Sequence, residues 1–167
     1  IREPLVVRWP GRVAPGATCD VPVMGIDFFP TFIDAAGIAA PKWKILDGLS
    51  LLPLLSQSST IEERSLFWHF PVYLQAYAGK ADDSHDPLFR TRPGSALRQG
   101  KWKFHEYFEE GRLELYDLEA DPGERKNLVS LYPQKTTELH QLMKAWRSEL
   151  QAPIPTELNP KFKSAEN

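Results

Sequence analysis

The chain holds a single cysteine, Cys19, in 167 residues. That excludes an internal disulfide and any metal site built on several thiolates, and it leaves the redox compartment open. An excess of one charge is also missing. Twenty Lys and Arg stand against 22 Asp and Glu, for a net charge of −2. A protein whose main partner is nucleic acid or an anionic membrane carries a basic surplus, so neither is expected here. No apolar run approaches the length of a membrane span. Position 1 is Ile, with no signal-peptide pattern, which suggests a processed chain or a fragment. What remains is 42% hydrophobic and 25% charged, a composition able to bury a core in one domain or in parts of two.

Leu5-Val6-Val7 is apolar on consecutive residues, so a strand over 3–8 would bury both faces. Such strands belong inside parallel sheets covered on both sides. Nothing before Ile1 in this sequence supplies neighbours, so the chain reads as starting partway through a larger α/β domain. Asp27 can cap a helix running to about Ala36, with Pro30 in its first turn and Gly37 as its stop. Ile26, Phe29, Ile33 and Ala36 recur at helical spacing. A polar stretch, Gln57-Ser58-Ser59-Thr60, marks a domain boundary, giving 1–56 as the end of one domain, 57–152 as a second and 153–167 as a tail.

The second segment opens with SLFWHFP (65–71), read as a strand. Residues 75–94 form a long segment with no period, a length that in compact domains usually goes with function. Then Trp102 and Phe104 alternate with Lys101, Lys103 and His105, and Leu113 and Leu115 alternate with Arg112, Glu114 and Tyr116. That pattern predicts an antiparallel meander with one apolar face. Lys101 and Lys103 are expected on its solvated side. A helix from about Pro133 to Leu150 follows, with Leu139, Leu142, Met143, Trp146 and Leu150 as its stripe.

Several motifs occur in order: REPLVVRWPGRVAPGATCDVPVMGIDFFPTFIDAAGI, DGLSLLPLL, RSLFWHFPVYL, SALRQGKWKFHEY and LELYDLEADPGERKNL. Together they resemble the C-terminal portion of type I sulfatases, the arylsulfatase family of the alkaline-phosphatase-like superfamily. The resemblance implies the end of a large α/β domain, followed by an α+β domain with about four antiparallel strands packed on a long C-terminal helix. It implies hydrolysis of sulfate esters, plausibly on carbohydrates, by an exported enzyme. The intact family enzyme uses calcium and a formylglycine made in a Cys/Ser-x-Pro-x-Arg motif. Here Cys19 precedes Asp20-Val21-Pro22-Val23, which does not fit. The resemblance therefore carries no catalytic or metal-ligating residue onto this chain, which by itself is expected to be inactive. Its expected partners are the missing N-terminal sulfatase domain and a sulfated carbohydrate or aryl sulfate.

In related sulfatases the loop after the first strand faces the cleft. On that resemblance His69 is a candidate substrate contact, set against a buried structural histidine. Arg90 and Arg92 are candidates because a guanidinium fork makes two hydrogen bonds to a sulfate. The alternative is a solvated loop with surface ion pairs. Asp82-Asp83-Ser84-His85-Asp86 lacks the glycine and distal glutamate of a calcium loop and reads as solvated. Glu124-Arg125-Lys126-Asn127 reads as turn chemistry. Two rival functions remain: a noncatalytic module binding sulfated glycans, and a structural piece that associates with an upstream chain.

Overall fold

The computed structural model describes residues 3–75 and 89–161. The acidic stretch 82–86 lies outside the described residues. The chain divides into two compact units, Ile1–Glu63 and Arg64–Asn167.

In the first unit the strand expected over 3–8 does not form. Those residues carry no regular structure, and Val6 is 90% exposed. A strand exists only through its ladder, and no described residue pairs with this segment. A 3-10 turn, Gly25–Asp27, leads into α1 (Phe28–Ala35), and α2 (Leu52–Leu55) follows. The stop at Gly37 is as expected. Its φ of 67° lets the Gly37 and Ile38 amides reach back to the Asp34 and Ile33 carbonyls, which closes the helix end.

Asp27 is the N-cap residue of α1, but its side chain makes no capping hydrogen bond to that helix. Its carboxylate is fully buried and accepts hydrogen bonds from the Met24 amide (2.7 Å) and the Leu49 amide (3.0 Å). Thr31 Oγ1 accepts from the Leu51 amide, and the Ser50 hydroxyl donates to Asp34. Asp27, Thr31 and Asp34 share a helix face, so one polar stripe holds the segment 49–51. Gly48 is required there because its Cα lies against the Ile26 carbonyl. The apolar residues of α1 take the other side: Phe29 and Phe32 are exposed, as are Trp43 and Ile45 beyond the helix.

The second unit is built on a four-stranded antiparallel sheet in the order β1-β4-β5-β6, from β1 (Leu66–Phe70), β4 (Gly94–Gln99), β5 (Trp102–Tyr107) and β6 (Leu113–Asp117). A small antiparallel pair, β2 (Leu74–Gln75) and β3 (Phe89–Thr91), sits between β1 and β4 in sequence. Period-two alternation gives the main sheet its two faces. Register places Phe67, Leu97, Phe104 and Leu115 in one row across all four strands. The last three are fully buried and pack with Leu139 and Met143 of α3 (Pro133–Glu149).

The expected helix is therefore present, but its buried stripe is not the apolar one in full. Leu150 lies beyond the helix and is 57% exposed, and Leu142 also reaches solvent. Thr136 and Arg147 are buried in their place.

Asn127 extends β6 with a side chain. Its Oδ1 accepts from the Leu115 and Val129 amides, and its Nδ2 donates to the Leu113 carbonyl. Asp121 Oδ2 accepts from the Arg125 and Lys126 amides. A Cβ on Gly94 would lie 2.6 Å from the Glu106 carbonyl oxygen, closer than packed atoms allow. Gly94→Ala should lower stability by about 1–3 kcal/mol, read as a lower urea midpoint with an unchanged slope.

Candidate functional site

His69 sits near the end of β1, directly across from Ser95 of β4. Alternation turns it to the same side as Phe67, which stacks on Trp146 of α3 at 4.6 Å. The imidazole lies 5.7 Å from the Phe108 ring and edge-on to Trp146. Both ring nitrogens are engaged. Nε2 is 2.8 Å from the Pro153 carbonyl oxygen, and Nδ1 is 2.9 Å from Ser95 Oγ. A carbonyl only accepts, so Nε2 carries a proton, and in the neutral ring Nδ1 accepts from the serine hydroxyl.

Ser95 Oγ in turn accepts from Arg147 Nη1 at 3.3 Å. Arg147 Nη2 lies 2.6 Å from Glu106 Oε2, and His140 Nε2 is 3.2 Å from Glu106 Oε1. Both are ion-pair contacts rather than aligned hydrogen bonds, and Arg147 Nε makes no hydrogen bond to the described residues. The guanidinium also lies over the Phe108 ring at 5.1 Å. A polar chain thus runs from the segment after α3 through β1 and β4 to α3 and β5. In this structure His69 is held on the helix side of the sheet, and a contact to a ligand requires it to exchange the Pro153 bond.

Arg92 follows β3 and donates from Nη1 to Glu110 Oε1 at 2.9 Å, its side chain mostly buried. Arg112 shares that carboxylate at 3.3 Å, reaches Glu114 at 3.4 Å and lies over the Tyr107 ring. Glu109 accepts from the Asn159 amide. Desolvation and then the Glu109 carboxylate push the Tyr73 hydroxyl well above the usual tyrosine range. Burial and then the Glu114 carboxylate push Tyr107 up to about 12. These side chains bring together more carboxylates than guanidiniums, so a sulfate entering here must displace a carboxylate from Arg92. Arg90 lies within β3, but its side chain is outside the described part of the structure. The segment after α3 touches both clusters, at His69 through Pro153 and at Glu109 through Asn159.

The opposite face of the sheet holds a third cluster, which alternation places correctly and characterises wrongly. Lys103 is not solvated: it is 6% exposed and pairs with Glu124, whose backbone takes a φ of 54°. His105 Nε2 is 3.5 Å from the other Glu124 oxygen, too long for a good hydrogen bond. Glu124 is therefore more than turn chemistry. Lys101 does reach solvent, paired with Asp117 at 2.7 Å. Among the described residues no group of three or more His, Cys, Asp or Glu could hold a metal, and Cys19 is exposed. The residues described do not fit the family's calcium or its formylglycine.

Ser95, Glu106 and Arg147 were not singled out from sequence. Their signal is a polar residue at an apolar position of a periodic pattern: Ser95 two before Leu97, Glu106 two after Phe104, Arg147 four after Met143.

The sequence profile of the family described as N-sulphoglucosamine sulphohydrolase, C-terminal, matches residues 1–152. The chain belongs to the sulfatase family. This sulfatase C-terminal region is 30% identical over 159 residues to N-acetylglucosamine-6-O-sulfatase of Bacteroides thetaiotaomicron, covering 93% of this chain and 26% of that protein. It is 31% identical over 166 residues to human arylsulfatase A, covering 86% of this chain and 29% of that protein. Among solved structures it resembles one determined in complex with its substrate, D-glucosamine-2-N,6-O-disulfate. The TM-score is 0.66 at 26% identity, over 90% of this chain and 29% of that one. The chain thus spans under a third of the length of these relatives. The four-stranded sheet backed by a C-terminal helix is the expected small sulfatase domain. No helix among the described residues is long and apolar enough to cross a membrane.

Proposed function

We propose that this chain is the C-terminal portion of a sulfatase that hydrolyses sulfate esters of carbohydrates. In this reading it supplies one wall of the cleft and the substrate-recognition loop. The observation that supports it most is the likeness to the structure holding a disulfated glucosamine, which extends over both units of the chain. Sulfate ester cleavage needs a positioned nucleophile, positive charge on the developing anion and a Lewis or general acid for the leaving alcohol. The exposed Cys19 lacks the required motif. The nucleophile and the calcium ligands then belong to polypeptide outside these 167 residues.

The exposed apolar residues of the first unit agree with this division. Leu5, Val6, Val7, Phe32, Trp43 and Ile45 are all exposed, more than the surface of a self-sufficient unit leaves open. In the assembled enzyme, residues 3–8 become the strand that they do not form here. His69, Arg90 and Arg92 contact the sulfated sugar.

The test is turnover of a panel of sulfated glucosamines and an aryl sulfate, with calcium present. The 167-residue chain alone should be inactive, and the same chain joined to an upstream sulfatase region should turn over at least one sulfated sugar. Turnover by the chain alone would refute the division of labour, and failure of every sulfated sugar with the joined polypeptide would refute the substrate class. Within the active polypeptide, Arg92→Ala should raise KM about tenfold, the worth of one charge-assisted hydrogen bond, and change kcat less.

A further inference from the structure

We propose that Ser95 is a positioning residue for His69, fixing the neutral tautomer whose only free donor is Nε2–H. We also propose that the Pro153 carbonyl holds the place of the acceptor oxygen of a sulfated sugar. The inference rests on the reading of His69 as a substrate contact and adds how that contact is prepared.

The geometry carries it. Ser95 is 4% exposed and lies across the sheet from His69. Its oxygen is already an acceptor for Arg147, at 3.3 Å, so its hydrogen is directed elsewhere, and His69 Nδ1 at 2.9 Å is the acceptor it meets. Arg147 cannot turn away, because Glu106 and the Phe108 face hold its guanidinium. The orientation of the serine hydroxyl is therefore set from behind, and the imidazole receives one hydrogen bond at Nδ1. The proton is left on Nε2. Nε2–H points toward the surface, where the bond to Pro153 is solvent-accessible.

The segment that provides this carbonyl is held lightly. Residues 152–159 have no regular secondary structure. Their hydrogen bonds include those from the Ala152 amide to Arg147, from His69 to Pro153 and from the Asn159 amide to Glu109. A hydroxyl or sulfate oxygen presents the same acceptor as a peptide carbonyl. Exchanging one for the other costs the protein no buried polar group, provided the carbonyl turns to water.

Nitrogen-15 NMR of the histidine ring, which separates the two tautomers, tests the positioning role without substrate. In its neutral form, His69 of the intact 167-residue chain should be protonated at Nε2 alone. A chain ending at Ala152 should keep that tautomer, since Ser95 still donates to Nδ1. Ser95→Ala should give a mixture of tautomers in the chain ending at Ala152, where the Pro153 carbonyl no longer accepts from Nε2. A His69 protonated at Nδ1 alone in the intact chain, a tautomer lost on truncation, or one unchanged in the truncated Ser95→Ala chain would each overturn the role of Ser95.

The link to the ligand is read separately, in the joined active polypeptide. Ser95→Ala and His69→Gln should each raise KM for the sulfated sugar by roughly tenfold, and the double variant should raise it no further. If the tautomer follows Ser95 but His69→Gln leaves KM unchanged, the placeholder role of Pro153 and the reading of His69 as a substrate contact fall together, while Ser95 remains the residue that sets the ring.

Discussion

Arg147→Ala should lower the unfolding free energy of the second unit by about 3–5 kcal/mol, the usual cost of removing one partner from a buried ion pair. Arg147 is 5% exposed and lies on the helix face that also carries Leu139 and Met143. Its loss leaves Glu106 paired with His140 alone among the described residues and removes a donor from Ser95. Replacing both partners by apolar groups of similar volume should behave differently. Glu106→Leu combined with Arg147→Met removes the charge that needed a partner, and most of the lost stability should return. Urea denaturation of the single and double variants decides the matter. A single variant within about 0.5 kcal/mol of the parent, the scatter of ordinary surface changes, would mean that Arg147 does not hold the helix to the sheet.

Glu124→Gln should cost about 2–3 kcal/mol near neutral pH, below the value for a fully buried pair because about a third of the Glu124 side chain reaches solvent. Lys103 would keep its buried position and lose its counter-ion. The variant should also lose a pH dependence that the parent shows. Burial acts to raise the Glu124 pKa, but the polar contact with His105, the hydrogen bond from Lys103 and the charge of both outweigh it and bring the group from 4.5 down to about 2. A carboxylate depressed in the folded state contributes stability that is complete above its unfolded value and is lost as pH falls toward the folded one. The parent should therefore weaken between about pH 5 and pH 2 by roughly 1–2 kcal/mol from this group, after allowance for solvent screening. Glu124→Gln should lack that component. Equal acid sensitivity in the two proteins would show that Glu124 is not the group responsible.

Much of the small domain was legible in the sequence, because a half-buried antiparallel sheet writes its faces in alternation. Trp102, Phe104, Leu113 and Leu115 announce strands, and the helix from Pro133 follows from its spacing. The same rule failed where a polar residue occupies a buried site. Lys103 obeys the alternation, but its partner Glu124 lies 21 residues away on a turn, a pairing that no period announces. Arg147 interrupts the apolar stripe for the same reason: its counter-ion, Glu106, comes from a strand of the sheet.

In the first unit the apolar pattern of Leu5-Val6-Val7 was readable, but the ladder that would make it a strand was not. A ladder depends on other chain segments, and none among the described residues supplies them. The role of Asp27 was half legible, as a helix-start residue. That its carboxylate would instead reach the Leu49 amide depends on a long-range return of the chain. The sequence offered His69 and Arg92 as candidates, but the partners the structure gives them, Ser95, Pro153 and Glu110, come from elements brought together only by folding.

Amide hydrogen exchange over residues 3–8 tests most directly whether polypeptide beyond these residues completes the first unit. In the isolated chain the amides of Leu5, Val6 and Val7 should exchange as fast as an unstructured peptide. In the same chain joined to an upstream sulfatase region they should be protected as strongly as those of Phe104 and Leu115, because they enter a sheet. Unchanged fast exchange in the joined polypeptide, or strong protection in the chain alone, would contradict the account.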